Sequence, residues 1–327
     1  MEIRRTSGAT IHLQTIALFS LLTGCPLAAA QAADFEASLL AEHNLEPAAP
    51  LVAYEEVLPT TNPWLENFSV FAGLDGAKQP QDLGINATLG GRVAANWGHA
   101  LLPEIGLGVQ LGVGYNAEAG AVHVLDQIEG TNSRTQLFTT VGLFQRTDAG
   151  WNWALAYDFL SENYYDVFSL GQCRGRVGYQ VNDCHELGVW FAVRAQEDQA
   201  EVLGTPLELR TINQASLFWR QTWQSTAQTS FWVGAADRHS EMVFLLPDDS
   251  HTGLVPVVGA TVYMPLNDRL AIYGECNLIM PTDTGTVDAV LGFVYQFGGC
   301  AACAPDRRFA PLLPVANNTS FAVDVER

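Results

Sequence analysis

The stretch Ile105-Gly106-Leu107-Gly108-Val109-Gln110-Leu111-Gly112-Val113-Gly114-Tyr115-Asn116 decides the fold. Read with a period of two, one face carries Ile105, Leu107, Val109, Leu111, Val113 and Tyr115, and the other carries four glycines, Gln110 and Asn116. Successive side chains of an extended chain point to opposite faces, so this is a strand with one greasy face and one small, polar face. A soluble sandwich alternates too, but it rarely exposes wide aromatics on one face while keeping Arg on the other.

The same division recurs along the chain. Ile85, Ala87, Leu89, Val93, Ala95 and Trp97 oppose Asn86, Thr88, Arg92, Ala94 and Asn96; Trp151, Trp153, Leu155, Tyr157 and Phe159 oppose Asn152, Ala154, Ala156 and Asp158. Strands are predicted over 67–74, 85–97, 104–116, 134–146, 150–160, 169–181, 184–196, 208–223, 227–238, 253–264, 269–280 and 285–297. Connections at 147–149, 182–183, 224–226 and 265–268 are short and carry turn residues such as Asn182-Asp183, whereas those at 117–133, 197–207 and 239–252 are long and polar. Outer-membrane barrels have short periplasmic turns and longer external loops. Here the long loops follow odd-numbered strands, as that topology requires. The predicted fold is therefore all-β, a single up-and-down antiparallel transmembrane β-barrel of about 12 strands over 67–297. In its last strand Gly292, Tyr295 and Phe297 have the spacing Gly-x-x-aromatic-x-Phe, which resembles the insertion signal that barrel-assembly machinery reads. Outer-membrane lipid and that machinery are the implied partners.

Outside the barrel, Arg4 and Arg5 precede an apolar run from Ile16 to Ala30 and the pattern Ala30-Gln31-Ala32. These features predict a signal peptide over 1–32, cleaved after Ala32. Leu22-Thr23-Gly24-Cys25 also resembles a lipobox, which would make Cys25 the first residue instead. An acidic, Pro-containing leader (33–66) follows, and 298–327 is expected to form a tail in the periplasm or against the barrel base. Past the signal region no run approaches twenty apolar residues, so strands are the predicted means of crossing a membrane.

Of 327 residues, 48% are hydrophobic but only 16% are charged, and Gly (29) and aromatics (10%) are plentiful. That mixture suits a β protein facing lipid. A net charge of −19 argues against a nucleic-acid binder, which needs a basic stripe. Lys78 is the single lysine. Six cysteines are too scattered for a disulfide scaffold. Cys300-Ala301-Ala302-Cys303 is the one close pair; it reads as a tail disulfide or plain thiols, because no second C-x-x-C or H-x-x-H completes a zinc site.

The segments Thr140-Val141-Gly142-Leu143-Phe144-Gln145-Arg146-Thr147-Asp148, Gly175-Arg176-Val177-Gly178-Tyr179-Gln180, Asp283-Thr284-Gly285-Thr286-Val287-Asp288-Ala289 and Arg308-Phe309-Ala310-Pro311-Leu312-Leu313-Pro314-Val315 together resemble a family of uncharacterised planctomycete secreted proteins with a domain of unknown function. The resemblance spans residue 66 to the C-terminus. It implies a bacterial envelope barrel-like protein and supplies no activity or binding residues.

If the aromatic face meets lipid, parity places Arg92, Arg146, Arg174, Arg176, Arg194, Arg210 and Arg220 in the lumen with Asp158, Glu186, Glu275 and Asp288. Inward placement is expected on stability grounds alone, since Arg in lipid costs about 2–4 kcal/mol at the midplane. Two readings follow. Seven cations against four anions could favour small anionic solutes, or the set could be an Arg–carboxylate network filling a narrow lumen. The Gly-rich strands at 85–97 and 104–116 read as tight interstrand packing. Twelve-stranded outer-membrane phospholipases need His and Ser on one face, but His239 and Ser240 are adjacent and point oppositely. The sequence therefore predicts no enzyme, no cofactor and no metal at Asp248-Asp249-Ser250-His251. It leaves open a porin-like channel or a structural or adhesive surface barrel with a filled lumen.

Overall fold

The computed structural model describes residues 62–82, 87–120, 133–202, 205–237, 253–280 and 285–326. The signal peptide, the lipobox, the leader up to 61, and the loops 121–132 and 238–252 with His239, Ser240 and Asp248 to His251 lie outside the described residues.

Twelve strands close into an antiparallel barrel: β1 (Phe68–Lys78), β2 (Thr88–Leu102), β3 (Leu107–Gly120), β4 (Ser133–Arg146), β5 (Trp151–Asn163), β6 (Val167–Asn182), β7 (His185–Gln196), β10 (Gln214–Thr222), β11 (Gln228–Asp237), β12 (Leu254–Pro265), β13 (Leu270–Ile279) and β14 (Val287–Gln296). Each pairs with its neighbours in order, with β7 meeting β10, and the seam closes where β1 pairs β14 from Ser69↔Gln296 to Lys78↔Val287. Closure leaves no edge in the barrel wall, the condition for strands to stand in lipid. Leu74, Val93, Leu111, Val141, Leu155, Val189, Leu217, Phe231, Leu291 and Phe293 are exposed on the outer face. A continuous apolar surface of this extent is unlike the outside of a soluble monomer. It has the composition expected of the outer band of a transmembrane barrel.

The predicted strand at 208–223 is instead two strands. β8 (Asp198–Val202) and β9 (Thr205–Thr211) form a hairpin at the long-loop end, where a loop is predicted, and β10 starts only at Gln214. Asn213 makes the break. Its side chain accepts the Arg194 backbone N–H at 2.7 Å and donates to Asp237 at 2.6 Å, drawing the chain out of the ladder as Asn does at turns. At the opposite end the turns are tight. The Thr147–Gly150 turn is closed by Gly150 at φ +84°, a left-handed conformation that glycine adopts without a Cβ penalty.

The hydrophobic core lies inside the barrel. Its axis is the C-terminal tail. Leu312 and Leu313 pack with Phe144, Ala154 and Ala156, whereas Phe321, Val323 and Val325 join Phe138, Leu160, Phe168 and Leu209. The tail ends in β15 (Val323–Glu326), which pairs with β9 in a three-stranded sheet, β15-β9-β8.

Candidate functional site

The sequence predicts a tail below or against the barrel. The structure threads it through the lumen, from the short-turn end, where Ala301 bonds the Asp268 carbonyl and accepts from Tyr263, to β9 at the other end. From 307 to 320 the tail has little regular structure, so its backbone groups need partners other than a ladder. The wall supplies them. Arg146 donates to the Pro305 and Ala310 carbonyls, Gln110 donates to the Leu313 carbonyl at 2.6 Å and accepts from the Leu312 and Leu313 amides, and Arg174 donates to the Pro314 carbonyl at 2.6 Å. Further along, Asn96 accepts from the Val315 amide, Arg92 donates to the Ala316 carbonyl at 2.8 Å, and Gln172 donates to the Ser320 carbonyl. Two glycines of the rich tract make room. A Cβ on Gly112 would lie 2.6 Å from the Val315 Cβ, and one on Gly98 would collide with the Phe309 carbonyl and lie 2.9 Å from Pro311. These strands are small on the inside partly because the tail lies against them. The Cys300–Cys303 disulfide forms where the tail leaves β14.

The half of the lumen nearest the long loops is acidic. Arg134, fully buried, forks onto Glu162 at 2.8 and 3.1 Å and stands 3.7 Å from Glu118. Asn318 of the tail donates to Asp75 at 2.8 Å and Glu118 at 3.0 Å and accepts from Gln136. Buried Asp288 accepts from Gln79, which also donates to the Asn318 and Phe321 carbonyls and accepts the Val323 amide. Asp82, in the 3-10 turn Pro80–Asp82 beyond β1, is wholly buried and accepts the Gln79 amide at 2.7 Å. Burial pushes its carboxyl up to about 7 despite the nearby Arg134.

The short-turn half is basic. Arg176 and Arg220 share Glu186, each at 2.6 Å, and Arg220 stands 3.5 Å from the half-exposed Asp306. Arg146 has carbonyl partners. Mid-barrel, Arg174 pairs with Asp158 at 2.8 Å. A cavity of about 200 Å³ lies between the tail and β1, β2, β13 and β14. A second, of about 250 Å³, lies on the tail's other flank.

Of the residues assigned inward by parity, Arg92, Arg146, Asp158, Arg174, Arg176, Glu186, Arg220, Glu275 and Asp288 do line the interior. Glu275 accepts from Tyr273 and from Asn317 of the tail. Two depart. Arg210 stands on β9, outside the barrel wall, and pairs with Asp324 of β15. Arg194 lies at the rim, paired with exposed Glu197. The expected positive excess also disappears, because Asp75, Asp82, Glu118 and Glu162 join the buried anions while Arg134 alone joins the cations. The predicted strands stop one or two residues short of Asp75, Glu118 and Glu162, and inward polar residues at a strand's end read as loop. Continuing the alternation past 74, 116 and 160 recovers them.

At the insertion motif, Gly292 faces inward beside Gly73, while Tyr295 meets Phe297 edge-on at 4.9 Å and Phe297 packs on Phe68. Trp64 stacks on both Trp97 and His99, which neighbour each other, and His185 accepts from the Trp219 indole.

Solved structures similar to this chain are outer-membrane barrels. The translocator domain of the autotransporter NalP from Neisseria meningitidis is 11% identical, with 82% of this chain and 97% of that one covered and a TM-score of 0.48. A Salmonella typhi outer membrane phospholipase dimer with bound calcium is 10% identical (74% and 94% covered, TM-score 0.41). The KdgM porin in complex with disordered oligogalacturonate is 8% identical (69% and 98% covered, TM-score 0.40). Finding a phospholipase in this group corrects the expectation that the chain is not an enzyme. At about 10% identity the likeness is one of fold and assigns no activity. No curated protein matches the chain. The model of one family, described as a family of unknown function (DUF6666), matches residues 67–323, which include the barrel and nearly all of the tail inside it, and the chain belongs to that family.

Proposed function

We propose that the protein is a bacterial outer-membrane barrel closed by its own C-terminal segment, a filled envelope barrel rather than an open pore. The observation that carries this reading is the line of wall-to-tail hydrogen bonds from Arg146 through Gln110 and Arg92 to Gln172. The exposed aliphatic belt supports residence in lipid, and the sequence's signal-peptide pattern and its resemblance to secreted planctomycete proteins support export. With the short turns periplasmic, the tail crosses the membrane inside its own barrel and β15 reaches the outer face beside the β8–β9 hairpin. Its loops and that sheet are then the surface available to partners.

Planar-bilayer recording of the refolded full chain tests closure. No steady conductance is expected; a stable, ohmic open state would overturn the proposal. A porin-like channel is the second reading, favoured by the cavities of about 200 and 250 Å³ flanking the tail. It requires the tail to move. An epitope placed after Arg327 tests the sidedness, and on intact cells it should be reached by antibody without permeabilisation.

A further inference from the structure

We infer that the cavity between the tail and β4, β6, β7 and β10–β13 is a binding site for a small organic carboxylate carrying an apolar ring. Its basic wall holds Arg146, Arg176 and Arg220. One carboxylate, Glu186, serves two of these guanidiniums, and Asp306 adds a more distant, half-exposed partner for Arg220. Arg146 is satisfied differently. Its bonds go to the Pro305 and Ala310 carbonyls, which use up donors without cancelling charge, whereas a buried cation is stabilised by an anion. The Arg176 Nε is buried with no hydrogen-bond partner, so a donor as well as a charge is available. Low-dielectric walls focus such a field on the space they enclose.

Beside the guanidiniums the same wall is aromatic, with Trp190 the cross-strand neighbour of Arg176 and Trp232 that of Phe218. Trp190 and Trp232 meet edge-to-face at 6.1 Å, and Phe218 lies under Arg176 at 4.3 Å. Pro311 and Pro314 of the tail close the other side. Glu275 also lines the cavity, but its carboxylate accepts from Tyr273 and Asn317. A cavity of about 250 Å³ holds a compact ligand. A free inorganic anion would leave the aromatic wall unused, and a neutral aromatic would leave the charge unanswered. A ring bearing one carboxylate satisfies both.

Isothermal titration of the refolded full chain in detergent tests this with phenylacetate and its neutral isostere phenylacetamide. Phenylacetate should bind saturably at one site per chain, and the amide about tenfold more weakly or worse, the discrimination of one charge-assisted contact. Arg146→Gln and Arg220→Gln should each weaken phenylacetate about tenfold, while Arg194→Gln at the rim leaves it unchanged. Absence of saturable binding by phenylacetate, or equal affinity for acid and amide, overturns the site in the unmodified protein, whatever the variants do. Unchanged binding by both folded Gln variants overturns the assignment equally. The outcome is separable from closure, because a conducting barrel could bind phenylacetate and a silent one could fail to.

Discussion

The two halves of the lumen solve the same problem with opposite charge. Toward the long loops, Asp75, Asp82, Glu118, Glu162 and Asp288 surround one buried arginine, Arg134, and the tail's own Asn318 completes the network. Toward the short turns, Arg146, Arg176 and Arg220 surround one carboxylate, Glu186, and the tail contributes backbone carbonyls and proline rings. The acidic half is sealed by Phe321, Val323 and Val325 within an apolar core, whereas the basic half retains space beside the tail. The contrast teaches that burial, not net charge, decides what a lumen charge does. Where packing is complete the charges lock the tail; where space remains they create a field.

The largest expected effect tests the acidic half. Arg134→Ala strands two carboxylates in a buried network and should cost about 3–5 kcal/mol, the toll of breaking a buried ion pair. Arg220→Gln in the roomier half should cost less, about 1–2 kcal/mol, because Glu186 keeps its partner Arg176. Urea unfolding followed by tryptophan fluorescence measures both, and equal losses would erase the distinction between the halves.

Next is the seat of the tail itself. Gly112→Val places side-chain atoms against Val315 and should destabilise by about 1–3 kcal/mol through overpacking. The change should appear as faster hydrogen exchange in 309–323 while the amides of β4 and β5 keep their protection. Loss of protection throughout the wall would mean that tail and barrel unfold as one unit.

Asp82 sharpens the comparison through pH. Its folded-state pKa, about 7, lies above the ordinary aspartate value of about 3.9, so the native state binds the proton more tightly than the unfolded state. That stabilisation is fully present below pH 4 and is lost as pH rises through 7. After correction for intrinsic rates, exchange in 321–325 should be up to about a hundredfold faster at pH 8 than at pH 5, since pH 5 lies two units below the folded pKa. Asp82→Asn should flatten the profile; a wild-type profile already flat would show that Asp82 does not govern this end of the tail.

The smallest effect belongs to the rim. Arg194→Ala, which breaks a pair with exposed Glu197, should shift stability by less than about 1 kcal/mol. A larger loss would place Arg194 in the network after all.

Much of the wall was legible because alternation is enforced locally. Leu111, Val113 and Tyr115 face outward while Gln110 and Asn116 face inward, and a one-residue slip would reverse every side chain. The site was legible only in part. Parity found Arg146, Arg176, Arg220 and Glu186, but Asp75, Glu118 and Glu162 were lost at strand ends, and Arg210 was misplaced because Asn213 interrupts what reads as one continuous strand.

The sequence by itself determined the barrel, since a period of two in hydrophobicity is a property of neighbouring residues and survives without knowledge of any distant contact. Only the tertiary structure decided that the lumen is filled. The tail from 307 to 320 has no periodicity to read, because its backbone is held by Gln110, Arg92, Arg174 and Gln172, residues 140 to 224 positions away in the chain. The glycines opposite it, Gly98 and Gly112, are explained by space that another segment occupies. Hydrogen bonds and volumes shared across such separations leave no local pattern, and they exist only once the barrel has closed around the chain that emerges from it.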